Sequence, residues 1–333
     1  MNNRLNRRQF LGAAAFAAAG AAVRGFSQVP AKEAAAPVYS TKLFKAMIAG
    51  VADDATCAKI AAAGFQGVEL TNKTITVQQA AANRLIAEKH GVRIHSYMAG
   101  WAEFNHSDTA KRRESIDSVR QMLRLASASG ASTILLVPCA ARGIKIPKPS
   151  EFKIDFDPGT LMVSKVVDGD NAPYADYIKA QNDATRLSIE AVNELIPAAA
   201  EEGVTICLEN VWNNLWVLPE FASALVRSFN SVWVKAYLDL GNHVRYAPTE
   251  QWLEALRGIT AKLHIKDFLL DRAKNNDGSF VPIGKGSINW RSVRDTIEKV
   301  RYNGWVSVES TGYTDAQHAE ICERFFAGRP VID

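Results

Sequence analysis

The stretch Ala261–Asp267 reads AKLHIKD. Its even beat sets Leu263 and Ile265 on one face of a β-strand and Lys262, His264 and Lys266 on the other. A strand with one solvated face has this pattern. So does a strand whose polar face looks into a binding site. The segments on either side of it decide between the two.

Seven further stretches repeat the beat: Leu43–Gly50, Phe65–Thr71, Val92–Gly100, Ser132–Pro138, Val204–Asn210, Val234–Asn242 and Gly304–Ser310. A helical pattern follows each of the eight, from DDATCAKIAAAG after the first to the segment beginning near Thr314 after the last. The longest, Tyr174–Glu202, is expected to kink near Pro197. Gly64, Gly91, Gly130, Gly203 and Gly304 precede the next strand and read as left-handed helix caps. Strand and helix alternating eight times predict an α/β fold of the (β/α)8 TIM barrel type. A doubly wound open sheet is the competing architecture, but no GxGxxG follows the first strand.

Two strand-to-helix connections are long, Ala140–Pro173 and Phe268–Ser287. In a barrel both lie at the catalytic end, as lids or as unstructured insertions. The second leads into IGKGSINW (Ile283–Trp290), where Gly286 reads as a turn and Asn289 as a helix N-cap.

The chain of 333 residues carries a formal charge of +4. Residues 1–36 hold Arg4, Arg7, Arg8, Arg24 and Lys32 against Glu33, which accounts for the whole excess. The remainder is neutral, so no nucleic-acid partner is expected. NRRQFLG (Asn6–Gly12) followed by a short alanine-rich run is the twin-arginine export pattern, too short to span a bilayer. Residues 1–36 are therefore read as a signal peptide and linker, and residues 37–333 as the barrel. The expected location is periplasmic, with no lasting membrane insertion. Cys57, Cys139, Cys207 and Cys322 are scattered without a CxxC pair, against a zinc knuckle or disulfide framework.

Four strands end alike: ICLEN, YLDLGN, KLHIKD and VSVES. Alternation turns Glu209, Asp239, His264 and Glu309 away from the apolar residues beside them and toward the barrel mouth. Three carboxylates so placed repel one another, and a buried carboxylate costs several kcal/mol unless paired or metal-bound. One divalent cation relieves both. Three carboxylates and an imidazole suit Mn²⁺ foremost, with Mg²⁺, Co²⁺ or Zn²⁺ open.

LENVWNN, YLDLGNHVRY, KLHIKDF and GWVSVES together resemble the xylose-isomerase-like TIM barrels, which include tagatose and psicose 3-epimerases. The resemblance covers about residues 42–325. It implies that Glu209, Asp239, His264 and Glu309 bind one metal and that Glu209 and Glu309 are the catalytic acid–base pair. It also implies a substrate-side role for His243. The turn Gly284-Lys285-Gly286-Ser287 departs from the Gly-Glu-Gly-Asp-like turn frequent in that family. Further candidates for substrate contact are His95, which by alternation points with Arg93 and Tyr97, Lys266 at the rim, and Trp101, Trp212 and Trp216 after strands. Each has a structural alternative: a core histidine, a solvated lysine, or tryptophans packed under loops.

The expected activity is metal-dependent isomerisation or epimerisation of a keto sugar by proton abstraction beside a polarised carbonyl. A periplasmic location disfavours phosphorylated substrates. Three alternatives stay open. They are β-elimination from a 3-keto-glycoside by the same groups, a non-catalytic sugar-binding barrel, and an abasic-site endonuclease. The neutral body and the six histidines of the chain argue against the last. A homo-oligomer is also open.

Overall fold

The computed structural model describes residues 37–333; the expected export signal lies outside the described residues. Strands β1 (Leu43–Ala49), β2 (Gly67–Leu70), β3 (Arg93–Trp101) and β4 (Thr133–Val137) form half of a barrel. A small hairpin, β5 (Asp155–Phe156) and β6 (Val163–Lys165), follows in the first long connection. Strands β7 (Thr205–Leu208), β8 (Val234–Asp239) and β9 (Thr260–Ile265) continue the barrel. The second long connection holds another hairpin, β10 (Asp267–Asp271) and β11 (Asp277–Val281). β12 (Gly304–Val308) pairs in parallel with both β9 and β1 and closes the ring. Closure rules out the open sheet. Both long connections are structured.

The barrel strands are followed in turn by α1 (Asp54–Ala62), α2 (Val77–Lys89), α3 (Thr109–Ala128), α4 (Ala175–Glu202), α5 (Pro219–Ser228), α6 (Thr249–Ala255), α7 (Trp290–Val300) and α8 (Asp315–Phe326). α4 runs through Pro197 as one helix, with Leu195 and Ala199 buried on either side of it. That packing offsets the hydrogen bond that a proline removes. None of the helices among the described residues is long and apolar enough to cross a membrane.

The outward residues of the strands meet the helices. Leu238, Leu263, Ile265 and Val306 are buried with Val293 and Ile297 of α7 in one continuous core. Burying each such side chain is worth about 1.5–3 kcal/mol, and this fixes which face of each strand turns inward.

Four of the five expected glycine caps have left-handed φ: Gly64, Gly91, Gly130 and Gly203. Gly304 does not. Arg301 takes the left-handed position after α7, at φ 59°, and Gly304 opens β12 instead. A Cβ on Gly304 would come within 2.7 Å of the Tyr302 hydroxyl. Asn289 caps α7 as expected, accepting from the Ser292 N–H at 3.1 Å. Gly286 is required by close approach, since a Cβ there would stand 2.0 Å from Asp267 Oδ1. Asp267 is buried and gathers the loop. Its Oδ2 accepts from the backbone N–H of Gly284 at 2.8 Å and of Gly286 at 3.1 Å, and from Trp290 Nε1 at 3.1 Å.

Candidate metal centre

Glu209, Asp239, His264 and Glu309 converge at the mouth, with one ligand atom from each lying within 4.8 Å of all the others. Asp239 and His264 belong to β8 and β9, while Glu209 and Glu309 stand one residue past β7 and β12. These four strands are consecutive around the barrel, so the two glutamates flank the Asp239–His264 pair.

The sequence DLGN explains how Asp239 is held. Its Oδ1 accepts from the backbone N–H groups of Gly241 at 2.8 Å and Asn242 at 2.7 Å, a turn favoured by aspartate. Gly241 is needed because Lys266 passes close: an added Cβ would lie 2.6 Å from its Cγ. Asp239 Oδ2 is buried and has no hydrogen-bond partner. His264 is in the same condition. Its Nε2 lies 2.6 Å from Glu69 Oε2, while its buried Nδ1 has no partner in hydrogen-bond geometry. A Glu309 oxygen lies 2.9 Å from that Nδ1 but off the bonding direction. Two orphaned donor atoms among three carboxylates are what a ligand set for a divalent cation requires. The residues fit the group.

Charge is concentrated here. Burial pushes the Glu209 carboxyl up to about 8, and the charges of Asp239 and Glu309 add to the rise against the pull of His264 and Lys266. Burial also pushes Asp239 up to about 6, against the pull of Lys266. Burial acts on Glu309 in the same sense, but His264 and Lys266 overcome it and hold that carboxyl down to about 2. Lys266 Nζ stands 2.9 Å from Glu309 Oε2 and 3.4 Å from Asp239 Oδ2.

Glu309 and Lys266 border a cavity of about 790 Å³ whose wall includes Met47, Met98, Phe280 and Tyr313. Glu309 is the more open glutamate, with 37 % of its side chain exposed, whereas Glu209 is buried.

The other candidates divide. Lys266 is at the centre. Trp212 stacks on Phe280 with ring centroids 4.9 Å apart, carries Arg245 over its face at 4.4 Å, and donates from Nε1 to the Asn242 carbonyl at 2.8 Å. It packs behind Phe268 and Phe280 of the β10–β11 hairpin and does not itself line the cavity. Trp101 is exposed, with Arg142 4.9 Å above its ring. Trp216 is a core residue bonded to Thr185 Oγ1 at 3.0 Å. His95 is buried inside the barrel, stacked on Trp305 at 4.7 Å and paired with Ser307 Oγ at 3.0 Å, and does not line the cavity. His243 is buried against Trp252 at 4.5 Å, and neither ring nitrogen has a partner. Burial drives its pKa down to about 3, so the ring is neutral.

Two contributors escaped sequence reasoning. Asn242 donates from Nδ2 to Glu209 Oε1 at 2.9 Å. Glu69, in β2, holds His264 from across the barrel.

The model of the xylose isomerase-like TIM barrel family matches residues 57–324, and the chain belongs to that family. Over 136 residues the chain is 26 % identical to an uncharacterised protein of Methanocaldococcus jannaschii; the match covers 39 % of this chain and 44 % of that relative, less than half its length. A crystal structure of D-psicose 3-epimerase superposes with a TM-score of 0.61 at 15 % identity, covering 86 % of this chain and 99 % of that one. The 3-keto-D-glucoside 4-epimerase of E. coli gives 0.59 at 14 % identity, covering 84 % and 96 %. At these identities the likeness is one of fold.

Proposed function

We propose that this protein is a metal-dependent isomerase or epimerase of a keto sugar. The observation that carries the reading is the placement of Glu209 and Glu309 on either flank of a buried ligand pair. Glu209, Asp239, His264 and Glu309 would hold a divalent cation, which would supply the positive charge needed to polarise a carbonyl and acidify the adjacent C–H. The protein's own groups do the rest. Asn242 donates to Glu209 Oε1 and so holds that buried carboxylate at the flank of the ligand set. Glu309 faces the cavity, and His264 and Lys266 beside it hold its carboxyl low and ionised, the state that a base requires. One glutamate removes the proton and the other returns it, to the opposite face or to the neighbouring carbon. Lys266 is also placed to steady negative charge that develops on a substrate oxygen. Phe280 of the β10–β11 hairpin forms part of the cavity wall beside Lys266 and is backed by the ring of Trp212.

Both solved structures described above are named as epimerases, which favours epimerisation or isomerisation over β-elimination. The N-terminal NRRQF supports export by the twin-arginine route, and a periplasmic enzyme would meet unphosphorylated sugars or 3-keto-glycosides. Lysine at both Arg7 and Arg8 should hold the protein in the cytoplasm; unchanged periplasmic yield would contradict that part. The chemistry is tested by incubating the protein and Mn²⁺ with a panel of keto sugars and 3-keto-glycosides in D₂O. Deuterium beside the carbonyl of a converted sugar is expected. Binding with no turnover of any member would favour a sugar-binding barrel.

A further inference from the structure

We infer that Glu69 is a positioning residue that fixes which nitrogen of His264 faces the metal; this rests on the metal reading above. Glu69 lies on β2, far around the ring from β9, and is fully buried. Tyr237 donates its hydroxyl to Glu69 Oε2 at 2.8 Å, and Ser96 donates to Oε1 at 3.2 Å. His264 Nε2 meets Oε2 at 2.6 Å. A carboxylate only accepts, so this contact requires Nε2 to carry a proton. In a neutral ring the lone pair is then on Nδ1, the nitrogen that has no hydrogen-bond partner and lies nearest Asp239 and Glu309. Tyr237 also packs its ring 4.5 Å from the imidazole and braces it from the side. Neither Asp239 nor Glu309 can do this, because both approach Nδ1. A carboxylate on the far nitrogen of a ligating histidine sets its tautomer and raises its basicity, and loss of such a group costs 10–100-fold in metal affinity.

The test measures Mn²⁺ affinity by competition with a chelator for the wild type, Glu69→Ala and Glu69→Gln. Melting of each metal-free protein is followed alongside. Glu69→Ala should bind Mn²⁺ about 10–100-fold more weakly. Glu69→Gln retains an oxygen that accepts from Nε2–H but loses the charge, so it should fall between the two; it also answers the question should Glu69→Ala not fold. ¹⁵N NMR of the Zn²⁺-loaded wild type should show His264 protonated on Nε2. Lower melting with unchanged Mn²⁺ affinity would mean that Glu69 only supports the fold, and would overturn the inference. So would a proton on Nδ1. A wild type that binds neither Mn²⁺ nor Zn²⁺ would bring down the metal reading itself, and is distinguishable from both.

Discussion

Asn242 touches two of the four candidate metal-binding side chains: its side chain donates to Glu209 at 2.9 Å and its backbone N–H donates to Asp239 at 2.7 Å. Only the first bond depends on the side chain. Asn242→Ala would leave a buried Glu209 oxygen without its donor, and a hydrogen bond to a charged group is worth about 1.5–3 kcal/mol. Mn²⁺ affinity, measured by chelator competition, should fall about tenfold. An unchanged affinity would mean that the amide does not hold Glu209 in its ligating position.

Lys266 makes the opposite case. Its ammonium lies among the carboxylates and would repel a dication, by on the order of 1 kcal/mol or more at a partly solvated site. Lys266→Met should therefore bind Mn²⁺ more tightly while sugar turnover falls. Calorimetric titration with Mn²⁺ beside a turnover assay would show the two moving in opposite senses. Weaker metal binding in the variant would contradict the role given to this lysine.

Acid stability has a separate origin. Hydrogen bonds from Ser40 and Thr41 hold the Glu298 carboxyl down to about 2, against the opposing effect of burial. A depressed carboxyl contributes stability that is complete above its unfolded pKa, about 4.3, and is lost as pH falls toward the folded value. Urea denaturation between pH 5 and pH 2 should show a steep loss in the wild type and a shallower one in Glu298→Gln. Equal slopes would remove Glu298 from the acid response.

The barrel and the convergence of Glu209, Asp239, His264 and Glu309 were legible because both follow from alternation. Leu263 and Ile265 had to be buried, which turned His264 inward, and the same logic applied to Glu209, Asp239 and Glu309. Alternation also turned His95 inward but could not say how deep it lies, and the structure sets it against Ser307 and Trp305. Glu69 was illegible for a different reason. It is one carboxylate in an otherwise apolar strand, and its partner is 195 residues away. Asn242 reads as a turn residue until Glu209 is beside it. The hairpins in the two long connections lack the strong alternation of the barrel strands. Gly304 reads as the cap of α7, but Arg301 takes the left-handed position, and the glycine at 304 answers instead to the Tyr302 side chain, which fills the space a Cβ there would need.

The paired glutamates are tested most directly by comparing turnover of a converted keto sugar by wild type, Glu209→Gln and Glu309→Gln, each with bound Mn²⁺ verified by elemental analysis. Glutamine preserves the shape but cannot take a proton at neutral pH. Each variant should lose roughly 10²–10⁴-fold in rate. Normal rates in both variants would contradict proton transfer by this pair.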